Sequence, residues 1–214
     1  LTSVQDISMF SNELRENIHD WVSEYHFSQE RHNLLRHLQL HQGVSILELG
    51  CGCGAITRQF GESGAMVTAV EGSLQRALSA AARCRDLPNV RVHCSNFQDV
   101  VFTEKYDVVT FIGVLEYAPQ YFDSPDPIQD CLNIACDALK PDGVLIVAIE
   151  NQLGLKYFCG LREDHVDVPF FGIEGRYNSK TAITFGRQEL KNILQKSGLP
   201  EVRFNYPFPD YKVP

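Results

Sequence analysis

The sequence predicts an α/β protein built on a parallel, doubly wound sheet with helices on both faces. Three observations carry this. The apolar run Val44–Leu47 ends in Glu48 and passes into Gly50, Gly52 and Gly54, which alternate with small residues before a helix-like segment from Ala55. That order of strand, glycine-rich turn and helix start is how α/β proteins build a nucleotide site. A second apolar run, Met66–Val70, ends in Glu71. Finally, five strand-like runs alternate with four helix-like segments, a pattern that folds as a parallel sheet.

Residues 1–42 read as N-terminal helices capping the core, and 43–214 as the core itself, one structural domain with an insertion at about 150–185. Phe10, Leu14 and Ile18, followed by Trp21, Val22 and Tyr25, form the apolar face of a first helix. Ser28 reads as an N-cap, Leu34, Leu35 and Leu38 as the next stripe, and Gly43 as its stop. His32, His37 and His41 read as a solvated face of that helix. After the glycine turn, Ile56 and Phe60 continue a helix, and Gly61 and Gly64 make the turn into strand two. Ser73 caps a helix whose buried face is predicted as Leu74, Ala77, Leu78, Ala81 and Cys84. Val90, Val92 and Cys94 alternate as strand three.

Tyr106–Ile112 is a near-continuous apolar run, as expected of a strand buried on both faces. Residues 118–127 read as a loop, with Asp126 capping a helix that buries Ile128, Cys131, Leu132, Ala135 and Leu139. Lys140–Gly143 is a predicted tight turn and Val144–Ile149 strand five. A last helix opens at Gly186, buries Leu190, Ile193 and Leu194, and stops at Gly198. The Pro-rich end from Pro207 reads as the start of a linker.

Composition narrows the function. The chain has 214 residues, 44% hydrophobic and 21% charged, with net charge −8. An acidic chain without a basic cluster is a poor nucleic-acid binder. No apolar run approaches the ~20 residues of a membrane span. The seven cysteines form no CxxC pair and no Cys/His set with zinc spacing, so no metal is expected. An odd count without a framework points to a reducing cytoplasm. The first residue is not Met, so the sequence reads as a trimmed chain or as part of a longer protein with further domains.

The glycine spacing alone admits a nicotinamide or flavin dinucleotide, since Gly50, Gly52 and Ala55 satisfy GxGxxG/A. Glu71, at the tip of the second strand, is placed to accept from both ribose hydroxyls of an adenosine. Glu48 separates the options. A carboxylate before the glycines repels a pyrophosphate but suits a cofactor with a cationic end.

The run Glu48–Gly54, together with Glu71, resembles motifs I and II of the class I S-adenosylmethionine-dependent methyltransferases. The resemblance implies a Rossmann-like, seven-stranded sheet, mostly parallel, closed by a hairpin with strand 7 antiparallel; residues 181–185 and 201–206 are the candidates for its last strands. It implies S-adenosyl-L-methionine as cofactor, held by Glu48, Gly50, Cys51, Gly52, Glu71 and Gly72, with Asn96 and Phe97 at the adenine and Ile112 and Gly113 along the methionine half. Many relatives carry His where this chain has Tyr117, which leaves a general base unassigned there. The stretches 150–160 and 170–177 resemble methyltransferase domains of bacterial surface-polysaccharide proteins fused to glycosyltransferase modules. The implied acceptor is a sugar, glycan or other small molecule.

Methyl transfer is an in-line displacement in which the protein mainly aligns the partners. For a hydroxyl acceptor a base helps, and Glu116, Glu150 and His165 are placed for it. For a phosphate or carboxylate, Lys156, Arg162 or Arg176 would orient the anion. Two other readings stay open: an NAD-dependent oxidoreductase, and a non-catalytic cofactor-binding module of a larger glycan-synthesis protein.

Overall fold

The computed structural model describes residues 4–208 and 210–212. In chain order the elements are α1 (Asn12–Glu16), α2 (Trp21–Phe27), β1 (Ser45–Leu49), α3 (Ala55–Glu62), β2 (Met66–Glu71), α4 (Leu74–Arg83), β3 (Val90–Cys94), β4 (Tyr106–Ile112), α5 (Ala118–Tyr121), α6 (Pro127–Ala138), β5 (Leu139–Ala148), α7 (Leu155–Phe158) and α8 (Arg187–Lys196). Short 3₁₀ turns lie at Gln29–Leu34, Phe97–Asp99 and Leu115–Tyr117. The strands form a five-stranded parallel sheet in the order β3-β2-β1-β4-β5, with flanking helices. The order reverses beside β1, and open α/β sheets bind ligands where such a reversal occurs.

By internal contacts the chain divides into two compact units. One comprises Leu1–Thr110, Leu139–Val144 and Asn205–Pro214; the other comprises Phe111–Ala138 and Leu145–Phe204.

In the first unit the core is built by β1 and β2, where Ile46, Leu47, Leu49, Val67, Ala69 and Val70 are buried. Helices α3 and α4 pack on β2, and α4 also on β3. The N-terminal segment is tied to this unit by polar contacts. Arg85 donates to the Val4 carbonyl at 2.6 Å, and the Met9 amide donates to Glu62. Val4, Ile7 and Leu14 form a small apolar cluster against Phe27.

Four sequence expectations change here. The single N-terminal helix is two short ones, and of its predicted face only Leu14 is fully buried; Phe10, Trp21 and Val22 are exposed. Asp20 starts α2 with a complete capping box, its carboxylate accepting from the Ser23 amide. Ser28 begins a 3₁₀ turn and makes no side-chain cap. His32 is not on a solvated face: it is 3% exposed, with Nδ1 3.3 Å from Gln59 Oε1. In α4 the buried residues are Ala77, Ala80 and Arg83, with Cys84 following, whereas Leu74 and Leu78 are both 62% exposed. The cause is the glycine turn. A Cβ on Gly54 would lie 2.8 Å from Ala80 Cα, so α4 must turn its small residues toward that loop.

In the second unit α6 buries Ile128, Cys131, Leu132 and Ala135 as expected, and the Asp126 carboxylate accepts from the Gln129 amide at its start. Leu190 and Leu194 of α8 are buried, and Gly198 follows with φ +88°. β5 begins at Leu139 and takes in Lys140–Gly143, so the predicted turn is absorbed into a longer strand. The start of β5 belongs to the first unit, where the Lys140 ammonium pairs with Asp107 of β4 at 2.8 Å.

Strands six and seven are not among the described elements. Residues 201–206 alternate in burial over their first four positions, as a strand would, but belong to none of the described strands. Phe185, at the end of 181–185, makes only an isolated parallel bridge to Asn151. Of the linker expected from Pro207, residues 209, 213 and 214 lie outside the described residues.

The contact between Gly54 and Ala80 generates a direct test. Gly54 has φ +79°, and a side chain there is both strained and overpacked. Gly54→Ala should lower unfolding stability by about 2–4 kcal/mol, summing left-handed strain and overpacking. Gly198→Ala, at φ +88° with nothing within 4 Å, should cost only about 1 kcal/mol. Urea titration of both variants checks the difference.

Candidate functional site

The first unit carries the predicted cofactor residues other than Ile112 and Gly113. At the end of β1 the chain turns through Gly50, Gly52 and Gly54 with φ of +80°, +55° and +79°. The Gly50 and Cys51 amides both donate to the Val70 carbonyl, at 2.8 and 3.1 Å. This lashes the turn to the end of β2. The Gly52 amide donates to Glu71 Oε2 at 2.9 Å. Cys51 is buried, and its carbonyl accepts from the Gly54 amide at 3.0 Å.

Glu71 is 4% exposed, and both its oxygens are engaged. Oε1 accepts from the Ser73 amide and from Arg76 Nε, each at 2.9 Å, and lies 2.7 Å from Arg76 Nη2. Arg76 is half exposed, so it is the partner most able to yield this oxygen to an entering hydroxyl. Glu48 is 2% exposed, and Oε2 accepts from the Thr57 hydroxyl at 2.6 Å. Burial pushes its pKa up to about 8, with Thr57 and Arg31 opposing. A buried carboxyl that resists ionisation is stabilised by a cation placed beside it.

Beyond β3, Asn96 donates from its amide nitrogen to Asp99 at 3.2 Å. Its Oδ1 lies 3.0 Å from where a Cβ on Gly72 would stand, so a side chain at 72 would displace the exposed Asn96 amide by a few tenths of an ångström. Phe97 is half-buried in the following 3₁₀ turn.

In the second unit Ile112 is buried at the end of β4, and Gly113 turns with φ +68°, its amide donating to the Ala148 carbonyl at 2.9 Å. The three residues proposed from sequence as bases converge in this unit. His165 Nε2 lies 3.6 Å from Glu150 Oε2 and 3.9 Å from Glu116 Oε1. Sequence reasoning missed Glu163, which is 2% exposed and accepts from His165 Nδ1 at 2.8 Å. Its carboxylate also accepts the His165 and Val166 amides at 2.7 and 3.0 Å. The loop is closed by an antiparallel bridge between Arg162 and Pro169. The short Glu-x-His spacing was the available signal for this local turn.

The electrostatics of the cluster follow from its charges. Burial lowers the His165 pKa, but Glu116, Glu163 and Glu150 outweigh it and raise the group to about 10. Burial, then the Glu116 charge, raises Glu150. Tyr117 sets its ring edge-on to His165 at 5.5 Å between centroids. The cations suggested for an anionic acceptor are each paired: Lys156 with Asp164, Arg162 with Asp167, and Arg176 with Glu174.

Comparison with known proteins now places the fold. Residues 47–145 match the family model described as a methyltransferase domain. Two similar curated proteins are ubiquinone biosynthesis O-methyltransferases. The one from Glaesserella parasuis is 28% identical over 127 residues, covering 54% of this chain and 49% of that protein. The mitochondrial one from Bos taurus is 29% identical over 143 residues, covering 61% and 37%. The chain thus spans half or less of the length of these relatives.

Among solved structures, a chain of the Haloferax volcanii Trm112 methyltransferase-activator complex superposes with TM-score 0.57 at 19% identity, covering 83% of this chain and 70% of that one. Haemonchus contortus phosphoethanolamine N-methyltransferase 2, solved with S-adenosyl-L-methionine, gives 0.57 at 19%, covering 80% and 36%. The architecture is therefore the Rossmann-like methyltransferase fold. Residues 47–145, a little under half of the chain, carry the similarity to a methyltransferase domain.

Glu48 makes stability depend on pH. Its folded pKa of about 8 lies above the ordinary 4.5. The folded state therefore binds the proton more tightly, and this contribution is full below pH 4.5 and is lost as pH rises through 8. In the ligand-free protein, stability should fall across that window by an amount on the order of a few kcal/mol. Glu48→Gln should flatten the slope, checked by urea midpoints at pH 5 and pH 8.

Proposed function

We propose that this protein is an S-adenosylmethionine-dependent O-methyltransferase acting on a hydroxyl of a small molecule. The observation that carries the reading is the pair of buried carboxylates, Glu48 and Glu71, bracketing a left-handed glycine turn within the segment that matches a methyltransferase domain. In this reading Glu48 faces the cationic methionine end. Glu71 takes the ribose hydroxyls as Arg76 gives way, and Asn96 and Phe97 hold the adenine. Ile112 and Gly113 line the methionine half. Residues 4–42 cap the cofactor-binding core.

The acceptor hydroxyl is handled by Glu116, Glu150 and His165. Two facts support a hydroxyl over an anion: the cluster is acidic, and the nearby cations are already paired. The relatives named above are O-methyltransferases, which agrees. A sugar or glycan, suggested by the resemblance of 150–160 and 170–177, is the narrower version of the same acceptor. The seven unpaired cysteines favour a reducing, cytoplasmic setting. Among the described residues no helix is long and apolar enough to cross a membrane.

Thermal unfolding with S-adenosylmethionine, S-adenosylhomocysteine and NAD tests the cofactor. The first two at 100 times Kd should each stabilise by about 2.7 kcal/mol, and NAD should not. Glu71→Gln should weaken S-adenosylhomocysteine binding by roughly 10–100-fold, the loss of a charged hydrogen bond. Calorimetric titration near pH 7 in buffers of different ionisation enthalpy should reveal proton release on S-adenosylmethionine binding, and Glu48→Gln should abolish it. A panel of phenols, sugars and glycans with labelled cofactor reads the acceptor class directly.

A further inference from the structure

We infer that Glu116, Glu150 and His165 form a binding site for a divalent metal ion of borderline character, such as Mn²⁺ or Zn²⁺. The binding claim stands on geometry alone. Only the ion's role, gripping the acceptor oxygen, rests on the O-methyltransferase reading.

One ligand atom from each of the three residues lies within 4.8 Å of the other two. The His165 Nε2 distances of 3.6 and 3.9 Å are too long for hydrogen bonds. They are close to the separation of two ligands on one ion: atoms about 2.1 Å from a tetrahedral centre lie roughly 3.4 Å apart. His165 is also prepared as a ligand. Glu163 holds Nδ1 at 2.8 Å, which directs Nε2 toward the two carboxylates. A carboxylate on the far nitrogen of a ligating imidazole is the usual orienting partner.

The second, independent observation is Glu116 itself. It is 1% exposed, and its Oε2 has no hydrogen-bond partner among the described residues. Leaving a carboxylate oxygen buried and unpaired is costly. Glu150 Oε2 is likewise out of solvent without a hydrogen-bond partner. Glu116, Glu150 and Glu163 bring three carboxylates around one imidazole, and no described donor reaches Glu116 Oε2. The remaining acid, Asp164, is taken by Lys156 at 2.6 Å and by the Tyr157 hydroxyl at 2.5 Å. A divalent ion answers both the missing charge and the missing partner. One nitrogen with two oxygens suits Mn²⁺ or Zn²⁺ better than Ca²⁺, which favours all-oxygen sets. The Glu150 side chain is 39% exposed, so water or an acceptor oxygen could complete the coordination from that side. An acceptor hydroxyl bound there would ionise more readily, its proton passing to solvent, and as an alkoxide would attack the sulfonium methyl, the O–CH3 bond forming as the S–CH3 bond breaks and S-adenosylhomocysteine leaves.

The experiment uses the whole chain after dialysis against chelator. Mn²⁺ is titrated with detection by electron paramagnetic resonance, and Zn²⁺ by calorimetry. One saturable site per chain is expected. Glu116→Gln and His165→Asn should abolish it, and Glu163→Gln should weaken it by about 10–100-fold. Glu174→Gln, an exposed acid paired with Arg176, should leave it unchanged. If the buried variants fail to fold, the half-exposed Glu150→Gln decides, with at least a tenfold loss expected. Absence of saturable binding, or binding indifferent to these substitutions, overturns the site. Saturable binding in a protein that methylates no hydroxyl would uphold the site and sink the acceptor reading instead.

Discussion

The hydrogen bond from the Gly52 amide to the Glu71 carboxylate is the constraint on which the first unit's site depends. It joins the turn after β1 to the tip of β2. It forms only because the chain passes through left-handed conformations that L side chains rarely adopt. With the turn held there, Gly54 comes against Ala80, and α4 must present alanines inward. The same placement leaves Glu48 buried behind the turn beside Thr57. One backbone geometry thus sets the packing of a helix and the electrostatics of a carboxyl.

The buried acids of the two units illustrate different solutions to one problem. Glu71 is surrounded by donors: two backbone amides and a guanidinium. Glu48 has one hydroxyl donor and keeps its proton up to a high pH. Glu163 resembles Glu71, satisfied by an imidazole and two amides. Glu116 is left with an oxygen that no described residue pairs. Full satisfaction marks acids that shape the protein; incomplete satisfaction marks those open to something the chain itself does not supply.

Much of the candidate site was legible because its parts are local. Glycine alternation, an acid at the end of each of two apolar runs, and Asn96-Phe97 after the third are patterns within short windows. The faces of helices were legible only where one neighbour decides them. In α6 the expected residues are buried, except Leu139, which falls outside the helix and begins β5 half-buried. In α4 apolarity pointed to Leu74 and Leu78, but close approach to a glycine turn favoured Ala77 and Ala80. His32 went astray for a related reason. Its burial comes from Gln59, 27 residues away, which no spacing rule registers. The N-terminal stripe failed because periodicity does not show whether a surface exists to receive it.

By itself the sequence determined the class of fold, the glycine turn and the two carboxylates at strand ends, because backbone conformation and strand termination are written in adjacent residues. It also named Glu116, Glu150 and His165, but only as separate positions, two just after strand ends and one within the 150–185 insertion. Tertiary structure decided that these three meet, that Glu163 orients the imidazole, and which side of α4 is buried. Those outcomes depend on the approach of segments distant in sequence, and distance in space is set by packing rather than by order along the chain.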